Sequence, residues 1–526
     1  MWDYIIVGGG SAGCIIAARL SEDPNNRVLL LNAGRGGLDR MPIVTAPGAS
    51  IYLMQNPLFD WYHRTEADPS CHDRAERIHN GKTMGGGGSI NGMMFIRGAA
   101  SDFDEWEELG NPGWGYRDVL PYFRKMEHTS IGEDEFHGRD GPVGVEYSAP
   151  MLDISHRFIE ASMEAGIPYN SDINGKSIEG VTRTPSNAFE GVRQSTARTY
   201  LYPARKRPNL TVKSGALARR VLFEGNVAVG VEYEVSGRKR KARARKEVVL
   251  CAGGVRSPHL LMLSGVGPAE QLENLGIPLV TDLPGVGKNY MDHASNRLSY
   301  AVKLPTWSRE LGLHDQAKHG LNWLFRKKGP AASGFSQAVA FVKSEPGLSD
   351  PDIQITLLPV VVPLHKEYKD MVWVFVSECK PTGRGEIKLA SANPKDAPII
   401  SPSLLSGNET VGKAITGIRI ARKIMEKGAI KRFVTEEFDP GPVAETDSAL
   451  EEWVRQSAMS MAHSSGSCKM GQDDMAVVDE RLNVRGVENL RVADASIMPT
   501  IPSGNINAPT MMIGEKAAAL ILAGNP

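Results

Sequence analysis

The sequence predicts an α/β protein with a nucleotide-binding, doubly wound parallel sheet at its start and a second, separately built domain further on. Three observations carry that prediction: a glycine turn joining an apolar strand to a helix, a later loop of four consecutive glycines, and a change of texture after residue 298. At 526 residues the chain exceeds what one hydrophobic core organises, so two or three domains are expected.

The opening stretch DYIIVGGGSAGCIIAARLSEDPNNRVLLLNAG reads as strand, tight turn, helix, turn, strand. Tyr4 to Val7 is apolar and β-branched, as a strand buried on both faces must be. Three glycines crowd the residues before Ser11, so the helix starts there, and its apolar residues recur at helical spacing up to Leu20. DPNN breaks it ahead of a second strand, Arg27 to Leu31. Gly8-x-Gly10-x-x-Gly13 is then a dinucleotide fingerprint in its proper context. The first glycine permits the turn, the second lets a pyrophosphate approach the backbone, and the third lets helix pack on strand, while the helix N-terminus attracts phosphate charge. Gly8, Gly10, Ser11, Ala12 and Gly13 are candidate cofactor contacts, as are Asn32 and Ala33 at the end of the second strand. Dinucleotide-binding proteins usually keep an acid at position 32 to accept from two ribose hydroxyls. Asn32 offers one acceptor and one donor instead, exchanging a charge-assisted hydrogen bond for a neutral one about half as strong. The fingerprint alone leaves NAD and FAD open.

Gly85 to Gly88, within GKTMGGGGSINGMMFIRG, favour neither helix nor strand and predict a loop where backbone comes close to something. Alternation in GNVAVGVEYEVSGRKRKARARKEVVLCAGG predicts a hairpin whose return strand enters another small-residue turn at Cys251 to Gly254. Its basic cluster, Arg238 to Lys246, reads as a solvated hairpin: Ala242 and Ala244 interleave the charges at strand period, and no aromatic residue is present to stack on bases.

Sixty basic residues against 61 acidic ones leave a net charge of -1, so no global field gathers nucleic acid or an anionic membrane, and small molecules are the expected partners. No apolar run approaches the ~20 residues of a membrane span, and the chain enters its first strand with no leader-like segment ahead of it. The five cysteines are scattered, odd in number and without CxxC spacing, which predicts a reducing, cytoplasmic setting. His137, His293 and His365 have no companion at ligand spacing, so no metal is expected, and Cys468 reads as packing.

Six stretches, in order, carry a resemblance: DYIIVGGGSAGCIIAARLSED, GGGGSINGMMFIRG, CAGGVRSPHLLMLSGVGP, LPGVGKNYMDH, AHSSGSCKMG and LRVADASIMPTIPSGNINAPTMMIGEKAA. Along essentially its whole length the chain resembles the glucose-methanol-choline (GMC) flavoprotein oxidoreductases, in their choline dehydrogenase-like and hydroxymethylfurfural oxidase-like branch. The resemblance implies a Rossmann-like FAD-binding domain, from 1–150, 190–297 and 460–526, and a substrate-binding domain of antiparallel sheet and helices, from 151–189 and 298–459. It implies FAD without a nicotinamide, held non-covalently because Ile90 stands where some members carry a flavin-tethering histidine. By the same resemblance the glycine loop with Gly86, Asn91, Gly92 and Met93 runs beside the isoalloxazine. Ala218 meets adenine through its backbone, and Asp494 and Ala495 contact the ribityl-pyrophosphate region. Gly87 and Gly88 stand where serines are common, and Gly254 where alanine is usual.

His463, in MAHSSGSCKMG, matches the family's active-site base. Its ordinary pKa near ~6.5 leaves a neutral imidazole free to accept an alcohol's proton. Asn505, in SGNINAPT, matches a position held by histidine in many relatives and by asparagine in the choline-oxidising branch, with Asn507 its competitor in the same turn. The implied activity is oxidation of a primary alcohol to an aldehyde by hydride transfer to flavin N5, with oxygen or a quinone-like acceptor taking the electrons. Phe335, Gln337, Val360 and Val361 are candidates for the pocket lining, and no acidic or aromatic cluster marks a cage for a choline-type cation. Two alternatives stay open: a lyase of the same fold, like the hydroxynitrile lyases, and a flavin-weakened variant.

Overall fold

A computed structural model describes residues 1–362 and 367–524. Five strands run parallel in the first sheet: Leu210–Ser214, then β2 (Val28–Asn32), β1 (Trp2–Val7), β3 (Arg238–Leu250) and β4 (Leu490–Val492). β1 and β2 are buried apart from the partly covered Trp2, which is why they read as near-continuous apolar runs. Between them runs α1 (Ser11–Leu20), so the predicted limits of this unit hold to within two residues. On α1 lies the C-terminal helix α3 (Asn507–Leu522), drawn close by Gly514, where a Cβ would stand 2.9 Å from Ala12 Cα.

The long strand β3 serves two sheets. Its second half flanks β1, while Arg238–Arg243 pairs antiparallel with Val227–Val235, which pairs in turn with Ala216–Glu224. The predicted hairpin is thus part of a meander, with Arg238 to Lys241 exposed and Ala242 buried. The four-glycine stretch is more ordered than an open loop, because Gly86–Ser89 forms one 3₁₀ turn entered through Gly85 at φ 86°.

The second large sheet is antiparallel along its main path: Val434–Asp439, Ala294–Val302, Met371–Glu378, Ile353–Leu358, Ala338–Val342 and Gly180–Arg183. Helices Asp153–Glu164 and Asn408–Met425 bury Phe158, Ile418 and Ile424 in one core with Ile355 and Val374 of the sheet, each such side chain contributing about 1.5–3 kcal/mol. The short strand Met459–Ser460 pairs with Ala294 and Ser295 at this sheet's rim, and the chain then crosses back toward β4. All five cysteines are buried and free. Among the described residues no helix is long and apolar enough to cross a membrane.

Candidate active site

β1 lies between β2 and β3, where the strand order reverses, and the glycine turn leaves the sheet at its carboxyl end. Gly8 sits at φ 108° with its Cβ position 2.2 Å from the Cys251 carbonyl oxygen, and a Cβ on Gly13 would stand 1.9 Å from the Gly8 oxygen. Neither position takes a side chain. The N-terminus of α1 carries no acid in its first turn, so its dipole and free N–H groups are left for an anion. The second glycine loop closes against this turn: Gly85 N donates to Gly9 O at 2.7 Å, and a Cβ on Gly86 would lie 2.8 Å from Gly10 Cα. Gly87 and Gly92 in the same loop face open space.

Asn32 Oδ1 accepts from Gly9 N at 3.2 Å, while its Nδ2 is buried without a partner. An orphaned donor costs about 1–3 kcal/mol, and a ribose hydroxyl would satisfy it. The cradle therefore fits a dinucleotide: Gly8 to Gly13 could meet its pyrophosphate, and Asn32 and Ala33 a ribose. Asn32→Glu should raise the fraction of FAD retained through desalting, because a carboxylate adds a charged acceptor for the hydroxyls. Equal or lower retention, read from visible absorbance, would count against the ribose role.

Asp494 is already committed: Oδ2 accepts from Gly253 N (2.8 Å) and Ser257 Oγ (2.6 Å), and Oδ1 from Ser496 N (2.8 Å) and Oγ (2.6 Å). Its carboxylate clamps the turn after β4 to helix α2 (Gly253–Leu263), and the carbonyls of Asp494 and Ala495 accept from Ile497 N and Gly466 N. Ala218 lies on the strand Ala216–Glu224, opposite Tyr233. Asn91 Oδ1 accepts from Met93 N (3.2 Å) and from Arg193 Nη1 (2.8 Å). Arg193, which the sequence did not single out, is a buried cation whose hydrogen bonds run to the glycine loop, Val44 and Ser50, and burial pulls its pKa down to about 9.

The structure brings His463 and Asn505 together, with Asn505 Nδ2 3.2 Å from His463 Nε2 and both side chains partly exposed. It adds a neighbour that the sequence reading had set aside: His293 Nδ1 lies 2.8 Å from His463 Nδ1, and the rings meet edge to face. Local pairing explains the meeting. Ala294 pairs with Ser460 and Met291 with Ser465, so His293 and His463 face each other across two antiparallel segments. The extra residues on the second segment are taken up at Ala462, a non-glycine at φ 59°, the kind of strained backbone that persists where a site over-determines it. His463 N donates to Asp292 Oδ1 (2.9 Å), whose other oxygen accepts from Ser460 Oγ (2.5 Å). Burial first, then the His293 ring, hold His463 well below the ordinary histidine value. Burial, partly offset by the Cys379 carbonyl, brings His293 to about 4, and burial, against the hydrogen bonds from Ser460 and His463 N, raises Asp292 to about 7.

Gln354 also escaped the sequence, being one polar residue in an apolar strand; its Nε2 donates to Asn505 Oδ1 at 3.4 Å. Asn507 donates instead to Ser11 Oγ (2.8 Å), which places it at the start of α1 and away from His463. Gln337 does not face a pocket as expected. Its carboxamide is used up by Leu152 N, Ser155 Oγ and Pro150 O, which tie the second sheet to the helix beside it. Phe335 and Val360 pack with Trp307, and Val361 N donates to Ser308 Oγ. His137 is held between Glu127 (2.8 Å) and Asp172 (2.9 Å), a structural pairing, and Cys468 is buried. His365 lies outside the described residues. Among those described, no group of three or more His, Cys, Asp or Glu residues is placed to hold a metal.

Models of one family, described as GMC oxidoreductase, match residues 2–295 and 381–514. The chain is 42% identical to an oxygen-dependent choline dehydrogenase of Vibrio vulnificus, over 100% of this chain and 95% of that one. It is 40% identical to the mitochondrial choline dehydrogenase of Homo sapiens, over 99% and 89%. Pyridoxine 4-oxidase from Mesorbium loti superposes with a TM-score of 0.91 at 29% identity, covering 100% of both chains. A formate oxidase from Aspergillus oryzae RIB40, studied for its FAD modification, does so at 0.92 and 27%, covering 99% of this chain and 98% of that one. With a dinucleotide cradle at the sheet's switch point and these matches along its length, the chain belongs to the GMC oxidoreductase family and is an FAD-dependent enzyme acting on CH–OH groups.

Proposed function

We propose that the protein oxidises a primary alcohol to an aldehyde, with His463 as general base and Asn505 as the group that orients the alcohol oxygen. The observation that carries this is the 3.2 Å pair of His463 Nε2 and Asn505 Nδ2, one a neutral base and the other a donor, on two partly exposed residues. A hydroxyl between them accepts from the amide and donates to the imidazole. Asn505 cannot take the proton, so it passes to His463 Nε2. The low pKa of His463 keeps its imidazole neutral, and so able to take a proton, at neutral pH. When bound, FAD supplies the hydride acceptor at N5 and passes the electrons to oxygen or a quinone-like acceptor. Gly8 to Gly13, Asn32, Ala33, the loop from Gly86 to Met93, Ala218, Asp494 and Ala495 would hold it without a covalent bond.

Choline, pyridoxine and formate are the compounds named for the relatives, and an anaerobic screen decides among alcohol classes here. Aryl, furanic, aliphatic and polyol alcohols and choline are each mixed with the oxidised protein, and bleaching of the flavin band is followed. At least one class should bleach it, and readmitting air or a quinone then identifies the acceptor. A flavin that no alcohol bleaches would sink the proposal.

A further inference from the structure

We infer that His293 is a positioning residue that fixes which nitrogen of His463 carries a proton, and that the Cys379 carbonyl sets the register. This rests on the reading of His463 as the base. Cys379 O can only accept, and His293 Nε2 lies 3.1 Å from it, so that nitrogen bears a hydrogen. His293 is 2% exposed and neutral at neutral pH, which leaves its Nδ1 with a lone pair only. His463 Nδ1, at 2.8 Å, must therefore donate. A neutral His463 that donates from Nδ1 is bare at Nε2, the nitrogen facing Asn505.

Asn505 agrees with this register from the other side. Gln354 Nε2 donates to its Oδ1, so its Nδ2 is the atom turned toward His463, and a donor there finds the bare nitrogen. The carbonyl is itself fixed: Cys379 follows the strand Met371–Glu378 and its N donates to Asp352 O at 2.8 Å. The second domain's sheet thereby dictates the protonation pattern of a histidine attached to the first. Without His293, neutral His463 would populate both tautomers, and in one of them Nε2 already carries hydrogen and cannot take the alcohol's.

Two substitutions separate this role from simple packing. His293→Phe keeps a ring but removes the acceptor, whereas His293→Asn puts an amide oxygen close to where Nδ1 stood. FAD content, visible spectrum and melting temperature are measured first, then the limiting rate of anaerobic flavin reduction across pH. His293→Phe should lose ~10-fold or more of the plateau rate, and His293→Asn should stay within about threefold of the parent. In both, the acid limb should move to higher pH, because one of the two causes holding His463 low is gone. Asp292, against the same segment, contributes its own inflection in every variant.

A His293→Phe protein with full flavin and an undiminished plateau overturns the inference, as do Phe and Asn variants slowed equally. Should the phenylalanine variant lose its flavin, the asparagine variant decides alone, a retained plateau supporting the inference and a lost one overturning it. Failure of the base reading looks different: His463→Ala would then reduce its flavin normally while His293 was intact.

Discussion

His463→Ala should leave FAD bound and slow the reduction of flavin by alcohol about 10²- to 10⁴-fold, the range for losing a positioned general base. The loss is large because none of the described groups beside His463 can substitute. Asn505 is an amide. His293 gives its Nε2 hydrogen to the Cys379 carbonyl and turns Nδ1 toward the His463 ring. Asp292 spends its two oxygens on His463 N and Ser460 Oγ. Those same backbone and hydroxyl bonds do not involve the His463 side chain, so the segment should keep its course in the variant, and the cradle at Gly8 to Gly13 lies on other elements. Stopped-flow absorbance under anaerobic conditions separates the reductive step from reoxidation, and a near-normal rate would remove His463 from the mechanism.

Residues that do their work through local order were legible in the sequence. The turn at Gly8 to Gly13 announces itself because strand, glycines and helix are contiguous, and Asn32 closes the next strand. His463 and Asn505 were legible only because their surrounding motifs resemble a family. The partners that orient them were not, and the reason is geometric. His293 meets His463 across 170 residues, through a strand pairing, and Gln354 meets Asn505 across 151, and no local periodicity encodes either contact. Gln337 shows the converse: a polar residue before an apolar strand looks available to a ligand until the fold presents Leu152 N and Ser155 Oγ to it.

Gly254→Ala should cost about 10²-fold in flavin reduction, although the resemblance makes alanine the ordinary residue at that position. In this chain a Cβ on Gly254 would stand 2.2 Å from Ser464 O, 2.5 Å from Ser464 C and 2.9 Å from Ser465 N, all backbone atoms. They cannot swing aside as a flexible side chain could. Ser465 N is bonded to Met291 O and Gly466 N to Ala495 O, so the segment after His463 is pinned on two sides. Relief must come from sliding that segment or the start of α2, at an overpacking cost of about 1–3 kcal/mol. Asn505 stands on a different turn and would not follow, and a misplacement of ~1 Å between two cooperating groups is enough for a hundredfold loss. Gly412→Ala, in the helix Asn408–Met425 with nothing within 4 Å of its Cβ, is the matched control. It should leave the rate unchanged and stabilise the fold by about 0.5–1 kcal/mol. Equal rates for the two alanine variants would mean that the segment carrying His463 moves freely.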